Sequence, residues 1–407
     1  MTIDIDKINF TDPDFWQRKD RDEAFEAIRN ERPAFWNEFL PGPEEASKGF
    51  WSVTRYDDIV KVSTDSKTFI SGKSTYIGDQ TVEEAHEEGW FLNMDAPDHF
   101  KLRQIVSKAF SPQGIQKMRD AAERYANELV AVAKEKGSCD FATDVAQPFP
   151  VAVVCDFLGA PQEYRKRLHE LTLIAMAGDA KELGGVEAIP GAFAELNAMG
   201  AELAKERRRA PKDDILSLIG AAEIDGRKLT DQEVGYFFQL LVTAGMETTG
   251  TVGAHLMRLL LENPDQMKIW MDDPSGTAPT GIEEAVRLVS PIMHMRRTAS
   301  VDAEVAGQKI AAGEKVVMWY YSGNRDERQF KDPLKFDVLR SPNPHLGFGG
   351  GGRHTCLGAH LARMELPYLV AAALRELRAI EPSAPAKFVP SRFVNGISSL
   401  PIIYKAA

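Results

Sequence analysis

One long helix constrains the fold of this chain more than any other segment. Thr230-Asp231-Gln232-Glu233 is a capping box, in which the Thr and Glu side chains each accept a backbone N–H of the first turn. Apolar residues at helical spacing then continue to Asn263-Pro264, where the proline ends the helix. About thirty residues at 1.5 Å per residue span roughly 45–50 Å, the width of a protein of this size. We therefore expect this helix to cross the core of a large, mainly helical body.

A second stretch, from His345 to Arg363, surrounds the lone thiol of Cys356. Four glycines and then Arg353 and His354 precede this cysteine. The glycines let the backbone approach a flat or bulky group, because no Cβ intervenes. The thiol stands where an apolar helix begins, and the N–H groups at a helix start favour a thiolate. This combination suits a metal macrocycle carrying acid groups; the alternative is a small, buried, apolar cysteine.

Composition excludes several classes of protein. The 407 residues carry a formal net charge of −11, which argues against a general nucleic-acid binder. The cysteines Cys139, Cys155 and Cys356 are too few for a disulfide scaffold, and this suits a reducing cytoplasm. The N-terminus lacks the apolar core of a signal peptide, and no apolar run approaches the ~20 residues of a membrane span.

The chain shows no repeats, low-complexity tracts or clear linker. We therefore expect a single domain over residues 1–407. Its β-rich parts are predicted mainly at 45–75, 295–325 and 385–407, and the helical body makes up the rest. Long helical patterns continue to about residue 220 and are expected to break near Gly178, Gly184-Gly185 and Pro190.

The middle of the long helix carries an unusual run, Ala244-Gly245-Met246-Glu247-Thr248-Thr249. A glycine in a helix interior costs about 1 kcal/mol relative to alanine, and an acid in a core-crossing helix is costly unless it is paired. Ala244 and Thr248 are four residues apart and share a face, so they form a notch that can hold a small polar ligand. The alternative is a helix-packing notch with Glu247 at the surface.

Two further sets of charged residues have an ordinary interpretation when taken alone. Glu284 and Arg287, three residues apart on a helix, resemble the surface pairs found on many helices. His99 and Arg103 share one helical face, and Arg297 lies in a β-like stretch far along the chain. These cations are able to clamp carboxylates, or they are surface charges.

The order and spacing of these segments, together with Asn324-Arg325-Asp326 and the polar segment at 336–340, resemble those of a bacterial cytochrome P450. Such proteins are haem-thiolate monooxygenases. The resemblance runs from about Phe50 to the C-terminus, and its specific part is the Cys356 stretch. It implies the cytochrome P450 fold, which is mainly α, with one large helical domain enclosing haem b and a smaller β-rich region. The segment from Gly49 to Arg55 and the glycine run are similar to branches that act on terpenoids, sterols and methyl-branched lipids.

The resemblance also implies a role for each matching residue. Cys356 is the axial thiolate on the haem iron, and Phe348 packs near it. The haem propionates are bound by His99, Arg103, Arg297 and His354. Ala244 and Gly245 seat O₂ beside the haem, and Glu247 and Thr248 manage protons there. Glu284 and Arg287 form a buried pair, with Arg340 or His345 as a third partner. One departure is that Phe348 stands eight residues before the cysteine instead of the usual seven.

The implied reaction inserts one oxygen atom from O₂ into a C–H bond of a hydrophobic molecule, such as a terpenoid, steroid, lipid or aromatic compound. The alternatives are a haem-thiolate protein with a peroxygenase, isomerase or gas-sensing role, and a helical scaffold without haem. The substrate pocket is expected to be mostly apolar, with His294 as its polar member. Its predicted lining comprises Tyr76, Phe91, Leu92, Leu171 to Met176, Leu241, Val242, Ala244, Ile292, Met293, His294, Met295, Val394 and Ile397.

Electrons are expected from a separate ferredoxin-type donor with its own reductase, because no segment remains for a fused reductase. A basic face would steer an acidic donor. Its predicted members are Arg103, Lys108, Arg353, His360 and Arg363. We expect a cytoplasmic monomer without nucleic-acid or membrane partners.

Overall fold

A computed structural model describes residues 3–39, 48–79, 81–83, 89–177 and 183–406, and within them helices predominate, as predicted. The α-helices are α1 Pro13–Trp16, α2 Arg21–Glu31, α3 Tyr56–Thr64, α4 Asp98–Ser107, α5 Arg119–Lys134, α6 Pro148–Leu158, α7 Arg165–Ala177, α8 Ile189–Arg209, α9 Ile215–Ala221, α10 Asp231–Glu262, α11 Pro264–Asp272, α12 Pro274–Val289, α13 Tyr320–Gly323 and α14 Ala359–Glu376.

The strands form one larger sheet and several small ones. They are β1 Ala34–Glu38, β2 Gly49–Val53, β3 Phe69–Ile70, β4 Ser138–Asp140, β5 Glu223–Ile224, β6 Arg227–Lys228, β7 Met295–Ala299, β8 Ala303–Val305, β9 Gln308–Ile310, β10 Lys315–Met318, β11 Leu377–Pro382, β12 Lys387–Phe388, β13 Ile397–Ser399 and β14 Pro401–Ala406. The five-stranded sheet has the order β1-β2-β10-β7-β3, and a three-stranded sheet has the order β11-β14-β4. In the larger sheet only β2 and β10 run parallel.

The long helix is α10, and it begins at the predicted capping box. The Thr230 side chain accepts the Glu233 N–H at 3.1 Å, and the Glu233 carboxylate accepts the Thr230 N–H at 2.7 Å. The helix has 32 residues and ends at Glu262, with Asn263 as its C-cap before Pro264. Most of its residues are buried, so it crosses the core as expected.

Two glycines let α8 and α10 cross in close contact. A Cβ at Gly200 of α8 would lie 2.6 Å from the Phe238 Cβ, and a Cβ at Gly235 would lie 2.5 Å from the Asn197 carbonyl oxygen. Neither glycine can therefore become alanine without separating the helices. This crossing places α8 over the N-terminal half of α10, and Phe193 of α8 packs against Trp90, which lines the cavity described below.

Several boundaries differ from those predicted. Strand β2 lies within the β-rich part expected at 45–75. Its antiparallel partner β1 lies before that part and was not predicted. Strands β4, β5, β6 and β11 fall within the expected helical body. Pro190, expected to break a helix, occupies the first turn of α8, where a proline needs no N–H partner; the break expected at Gly178 lies outside the described residues. Among the described residues, no helix combines the length and the apolar character that crossing a membrane requires.

Candidate functional site

Cys356 lies just before the start of α14, and its side chain lines a cavity. The Cys356 N–H donates to the Phe348 carbonyl at 2.9 Å, which closes the preceding loop. Burial raises the pKa of the Cys356 thiol, and the backbone N–H groups of Gly358 and Ala359 oppose that rise. The sulfur therefore faces both the cavity and the positive end of a helix, as a thiolate ligand requires.

The glycine run before the cysteine packs directly on α3. Gly349, Gly351 and Gly352 all have positive φ, at 97°, 86° and 81°. A Cβ at Gly352 would lie only 2.6 Å from the Ser63 carbonyl oxygen, and the Ser63 hydroxyl donates to the Gly351 carbonyl at 2.9 Å. The left-handed backbone at these three glycines, which only glycine adopts readily, lets the loop accommodate its extra residue.

Phe348 keeps its ring at the cavity in spite of the longer loop. The ring is 4.4 Å from the Arg363 guanidinium and 5.7 Å from the His345 ring. Phe348 also lines the cavity beside Cys356. The ring thus lies between the cavity and a surface cation.

Arginine and histidine side chains from three distant segments meet beside the cavity. The rings of His99 and His354 are 4.2 Å apart. Arg103 donates to the Thr355 carbonyl at 2.6 Å, and the buried Arg297 donates to the carbonyl of its neighbour Arg296 at 2.7 Å. The sequence placed these groups at 99–103, 297 and 354, and the fold brings all of them together.

Among the described residues, this cluster contains ring nitrogens without a hydrogen-bond partner and arginine charges without a carboxylate partner. His99 Nε2 and His354 Nδ1 are buried without a hydrogen-bond partner. The nearby Asp95 carboxylate is occupied by the N–H groups of Ser71 and Gly72, at 2.9 and 2.8 Å. An anionic ligand with carboxylate groups would satisfy both deficits.

The two histidines are uncharged at neutral pH in this environment. Burial, followed by the Arg103 charge, lowers the pKa of His99 to about 4. Burial, followed by the Arg297 charge, lowers the pKa of His354 to about 2. Each ring is therefore a neutral hydrogen-bonding group, and the arginines carry the positive charge of the cluster.

The opposite wall of the cavity is formed by the middle of α10. Ala244 exposes its side chain to the cavity, and Gly245 and Thr248 also line it. The Thr248 hydroxyl donates to the Ala244 carbonyl at 2.7 Å, so the notch contains a hydroxyl whose acceptor sites remain open.

Glu247 lies next to this notch but does not line the cavity. Its side chain is only 4% exposed, so the alternative of a surface carboxylate is wrong. Burial raises the pKa of Glu247 to about 7, and a hydrogen bond to Thr251 partly opposes the rise. The carboxyl therefore exchanges a proton near neutral pH.

A second buried acid, Glu365 of α14, was missed by the sequence reasoning. One carboxyl oxygen accepts the Thr249 hydroxyl at 3.2 Å, and the other has no partner among the described residues. Burial raises the pKa of Glu365 to about 8. The available signal was its position on the apolar face of the helix, four residues from both Leu361 and Leu369.

The cavity is almost entirely apolar between these walls. It has a volume of about 240 Å³. Of the predicted lining, the structure places these residues at its surface: Tyr76, Phe91, Leu92, Met176, Leu241, Ala244, Ile292 and Met295.

Other predicted lining residues lie behind the wall, and the prediction for them was wrong. Val242 is fully buried on another face of α10, about 100° from Leu241. Met293 packs with the N-terminal aromatic cluster, and Val394 forms a bridge with Ile292. Ile397 pairs within the small β12–β13 sheet.

His294 also points away from the cavity. Its ring lies 4.6 Å from the Trp319 ring and 5.4 Å from the Phe393 ring. Burial lowers its pKa to about 3, so it is a neutral member of an aromatic cluster. Leu171, predicted at the cavity, is likewise a core residue.

The Glu284–Arg287 pair is fully buried and ties α12 to the segment before the cysteine loop. Two Arg287 nitrogens donate to the two Glu284 oxygens, each at 2.7 Å, and both side chains are 0% exposed. Arg340 is the third partner, with its Nε 3.0 Å from Glu284. His345 instead contacts Glu283 at 3.0 Å.

Comparisons with known proteins agree with this geometry. The family described as Cytochrome P450 matches residues 279–401. The chain is 39% identical to a methyl-branched lipid omega-hydroxylase of Mycobacterium tuberculosis, over 99% of this chain and 96% of the relative. It is 36% identical to a steroid C26-monooxygenase of Rhodococcus jostii, over 98% and 85% of the two chains. A solved Mycobacterium marinum cytochrome P450 in complex with pseudoionone superposes with a TM-score of 0.92 at 36% identity, over 99% of both chains.

Proposed function

Because this chain belongs to the cytochrome P450 family, we propose that it hydroxylates an apolar, methyl-branched or polycyclic lipid with oxygen from O₂. It is a monooxygenase of the oxidoreductase class. The observation that carries the substrate proposal is the apolar cavity enclosed between Cys356 and the Ala244–Thr248 notch. Relatives that act on methyl-branched lipids and steroids support the same substrate class.

The residues around the cavity fit a haem. Cys356 would hold its iron as a thiolate, and His99, Arg103, Arg297 and His354 would bind its carboxylates. The unpartnered ring nitrogens and unmatched positive charge of these groups are the observations that favour this assignment. When bound, haem supplies the activation of O₂ that oxidation of an unactivated C–H bond requires.

We assign the handling of protons to Thr248 and Glu247. The Thr248 hydroxyl faces the cavity and can leave the Ala244 carbonyl by rotation about χ1. The pKa of Glu247, raised to about 7 by burial, suits a group that takes up and releases protons at neutral pH. Since Glu247 does not line the cavity, its role is to supply protons to the Thr248 side and not to contact the substrate.

The apolar lining orients the substrate and excludes water. Leu241 and Ile292 approach from different elements, and Phe393 covers the cavity from the C-terminal loop. An apolar substrate gains affinity by displacing water from this surface. The same displacement confines the remaining polar chemistry to the notch on α10.

We propose a ferredoxin-type electron donor that docks near Cys356. Lys108, Arg353 and His360 are exposed, and Arg353 and His360 lie three and four residues from Cys356 in the sequence. Arg363 contributes less, because its guanidinium is held by Glu283 at 2.6 Å, and Arg103 is engaged with a carbonyl.

The donor assignment is testable by charge reversal. Lys108→Glu combined with Arg353→Glu should slow electron transfer and flatten its dependence on salt. Lys387→Glu combined with Lys405→Glu reverses two exposed charges on β12 and β14 and serves as the matched control. Equal rates for the double variant and the control would count against docking at this face.

The proposed function itself is tested with purified protein, a ferredoxin and its reductase. A methyl-branched fatty acid and a steroid should each be screened for binding by the haem spin-state shift. A bound compound should yield a hydroxylated product containing one atom of isotopically labelled dioxygen. The reduced protein should give the red-shifted carbon monoxide band of a thiolate, and Cys356→Ala should abolish it. A thiolate band without hydroxylated product would favour the alternative non-hydroxylating roles.

A further inference from the structure

One hydrogen-bond donor at the cavity is used by none of the roles assigned above. Trp90 lines the cavity and is only 4% exposed, and its indole Nε1 is buried without a hydrogen-bond partner among the described residues. Its ring packs edge-on against Phe193 of α8 at 5.1 Å and lies 6.5 Å from the Tyr76 ring. Buried indole N–H groups nearly always have a partner, so this donor needs an explanation.

Trp90 belongs to neither of the two polar clusters described at the cavity. Arg103, Arg297 and His354 belong to the cationic cluster, and Thr248 belongs to the notch of α10. The Trp90 indole contacts the rings of Phe193 and Tyr76 instead, so its N–H lies in an aromatic part of the wall.

The position of the neighbouring Gly89 shows how far Trp90 lies from the notch. A Cβ at Gly89 would be 2.7 Å from the Tyr236 ring, so this segment packs on the second turn of α10. Tyr236 precedes Thr248 by twelve residues, which corresponds to about 18 Å along the helix at 1.5 Å per residue. The Trp90 backbone is therefore near the opposite end of the cavity from the notch.

We propose that the Trp90 N–H binds an oxygen atom at the polar end of the substrate, such as a carboxylate, ester or ketone oxygen, and thereby directs the opposite, apolar end to the Thr248 notch. This inference rests on the proposed function, and it names the substrate class: an apolar, branched chain with an oxygen acceptor remote from the carbon that is oxidised. Trp90 is then a positioning residue that sets where along the chain oxidation occurs.

The test compares two ligands and two proteins. Pseudoionone is a methyl-branched ketone, and the hydrocarbon with the same carbon skeleton lacks the acceptor oxygen. Binding of each compound to the haem-loaded wild type and to Trp90→Phe is followed by the haem spectral shift. Because a lost hydrogen bond of this kind corresponds to roughly a tenfold weaker affinity, the variant should bind the ketone about tenfold more weakly and the hydrocarbon with little change.

Product analysis supplies a second readout. Wild type should oxidise pseudoionone mainly at the end remote from the ketone, and Trp90→Phe should spread oxidation over several carbons. Phe91→Leu changes the volume of the neighbouring lining residue without removing a donor, so it is the control for packing effects. Phe91→Leu should lower the affinity for the ketone and for the hydrocarbon by the same factor.

A measurement on the wild type keeps the inference testable if Trp90→Phe folds poorly. With tryptophan labelled with nitrogen-15, the Trp90 indole resonance should shift downfield on adding the ketone and not on adding the hydrocarbon. Equal weakening of both ligands, or an unshifted resonance, would indicate that the N–H merely faces an aromatic ring, and would overturn the inference while the proposed function stands. If wild type bound neither compound, the inference would be overturned, whereas the proposed function is decided separately by the screen with a methyl-branched fatty acid and a steroid.

Discussion

Arg287→Lys tests how the buried ion pair holds α12 to the segment that leads into the cysteine loop. Arg287 donates to both oxygens of Glu284, and its other contacts are the carbonyls of Asn324, Pro333 and Lys335, at 2.7, 2.6 and 3.3 Å. All of these acceptors are recruited by one planar, five-donor group. A lysine has three donors on a single nitrogen and cannot reach acceptors on both sides.

The expected loss of stability follows from the carbonyl acceptors that a lysine would leave without a hydrogen bond. At least two of the carbonyls would remain buried without a donor, and each such group costs about 1–3 kcal/mol. Damaging a buried ion pair costs about 3–5 kcal/mol. We therefore expect Arg287→Lys to lower the free energy of unfolding by about 4 kcal/mol, a large share of the roughly 5–15 kcal/mol of a typical domain.

The neighbouring glutamate offers a matched control. Glu283 pairs with Arg363 through the same bidentate geometry, but the two side chains are 22% and 40% exposed. Arg363→Lys should therefore cost no more than about 1 kcal/mol. Urea denaturation of both variants, with midpoints and slopes compared, measures the difference. If Arg287→Lys lost no more stability than Arg363→Lys, burial would not be the reason for the strength of this network.

Three further predictions concern the site. Thr248→Ala should leave substrate affinity nearly unchanged but divert reducing equivalents to peroxide, measured as product and peroxide formed per electron pair consumed. Because burial raises the pKa of Glu365 from 4.5 to about 8, the native state holds an extra proton between these values; its contribution to stability is complete below about pH 4.5 and is lost as the pH rises through about 8. Glu365→Gln should remove that decline, which denaturation at about pH 5 and about pH 8.5 would reveal, and an equal decline in the variant would argue against it. Gly352→Ala should destabilise more than Gly351→Ala, because both have positive φ but only the former would bring a Cβ to 2.6 Å from the Ser63 carbonyl oxygen; thermal midpoints that ranked the two variants the other way would contradict this account.

Local signals in the sequence predicted the parts of the fold that local chemistry determines. The capping box at Thr230 and the proline at 264 act within one turn of the helix they bound, so both ends of α10 were predictable. Pro190 shows the limit of such signals, because a proline can stand at several places in a helix. Pro190 lies in the first turn of α8, whereas Pro279 and Pro367 lie inside α12 and α14.

The lining of the cavity could be predicted only in part, because it depends on which way each element faces. Leu241 and Val242 are equally apolar, and the rotation of α10 about its axis decides that only Leu241 meets the cavity. In the irregular segment before β7, Ile292 faces the cavity whereas Met293 and His294 face the aromatic cluster. No local pattern in the sequence distinguishes these neighbours.

The choice of ion-pair partners depends in the same way on long-range geometry. Arg340 and His345 were equal candidates to join Glu284, and the fold gives Arg340 to Glu284 and His345 to Glu283. Adjacent glutamates on a helix point about 100° apart, so the orientation of α12 about its own axis determines which glutamate meets which partner. The sequence contains the residues of the network but not that orientation.

Two buried acids, Glu247 of α10 and Glu365 of α14, lie on either side of Thr248 and can both hold a proton there. Glu247 shares a helix face with its partner Thr251, and Thr249 carries the hydrogen bond to Glu365. At about 100° per residue, Thr248 therefore lies between the two acids, about a quarter-turn or slightly more from each. Burial raises both pKa values, to about 7 and about 8, so at neutral pH at least one of the acids retains its proton. The two acids can thus hold protons close to the notch without placing two negative charges there. The positive charge of Arg103 and Arg297 therefore remains available to an anionic ligand on the Cys356 side.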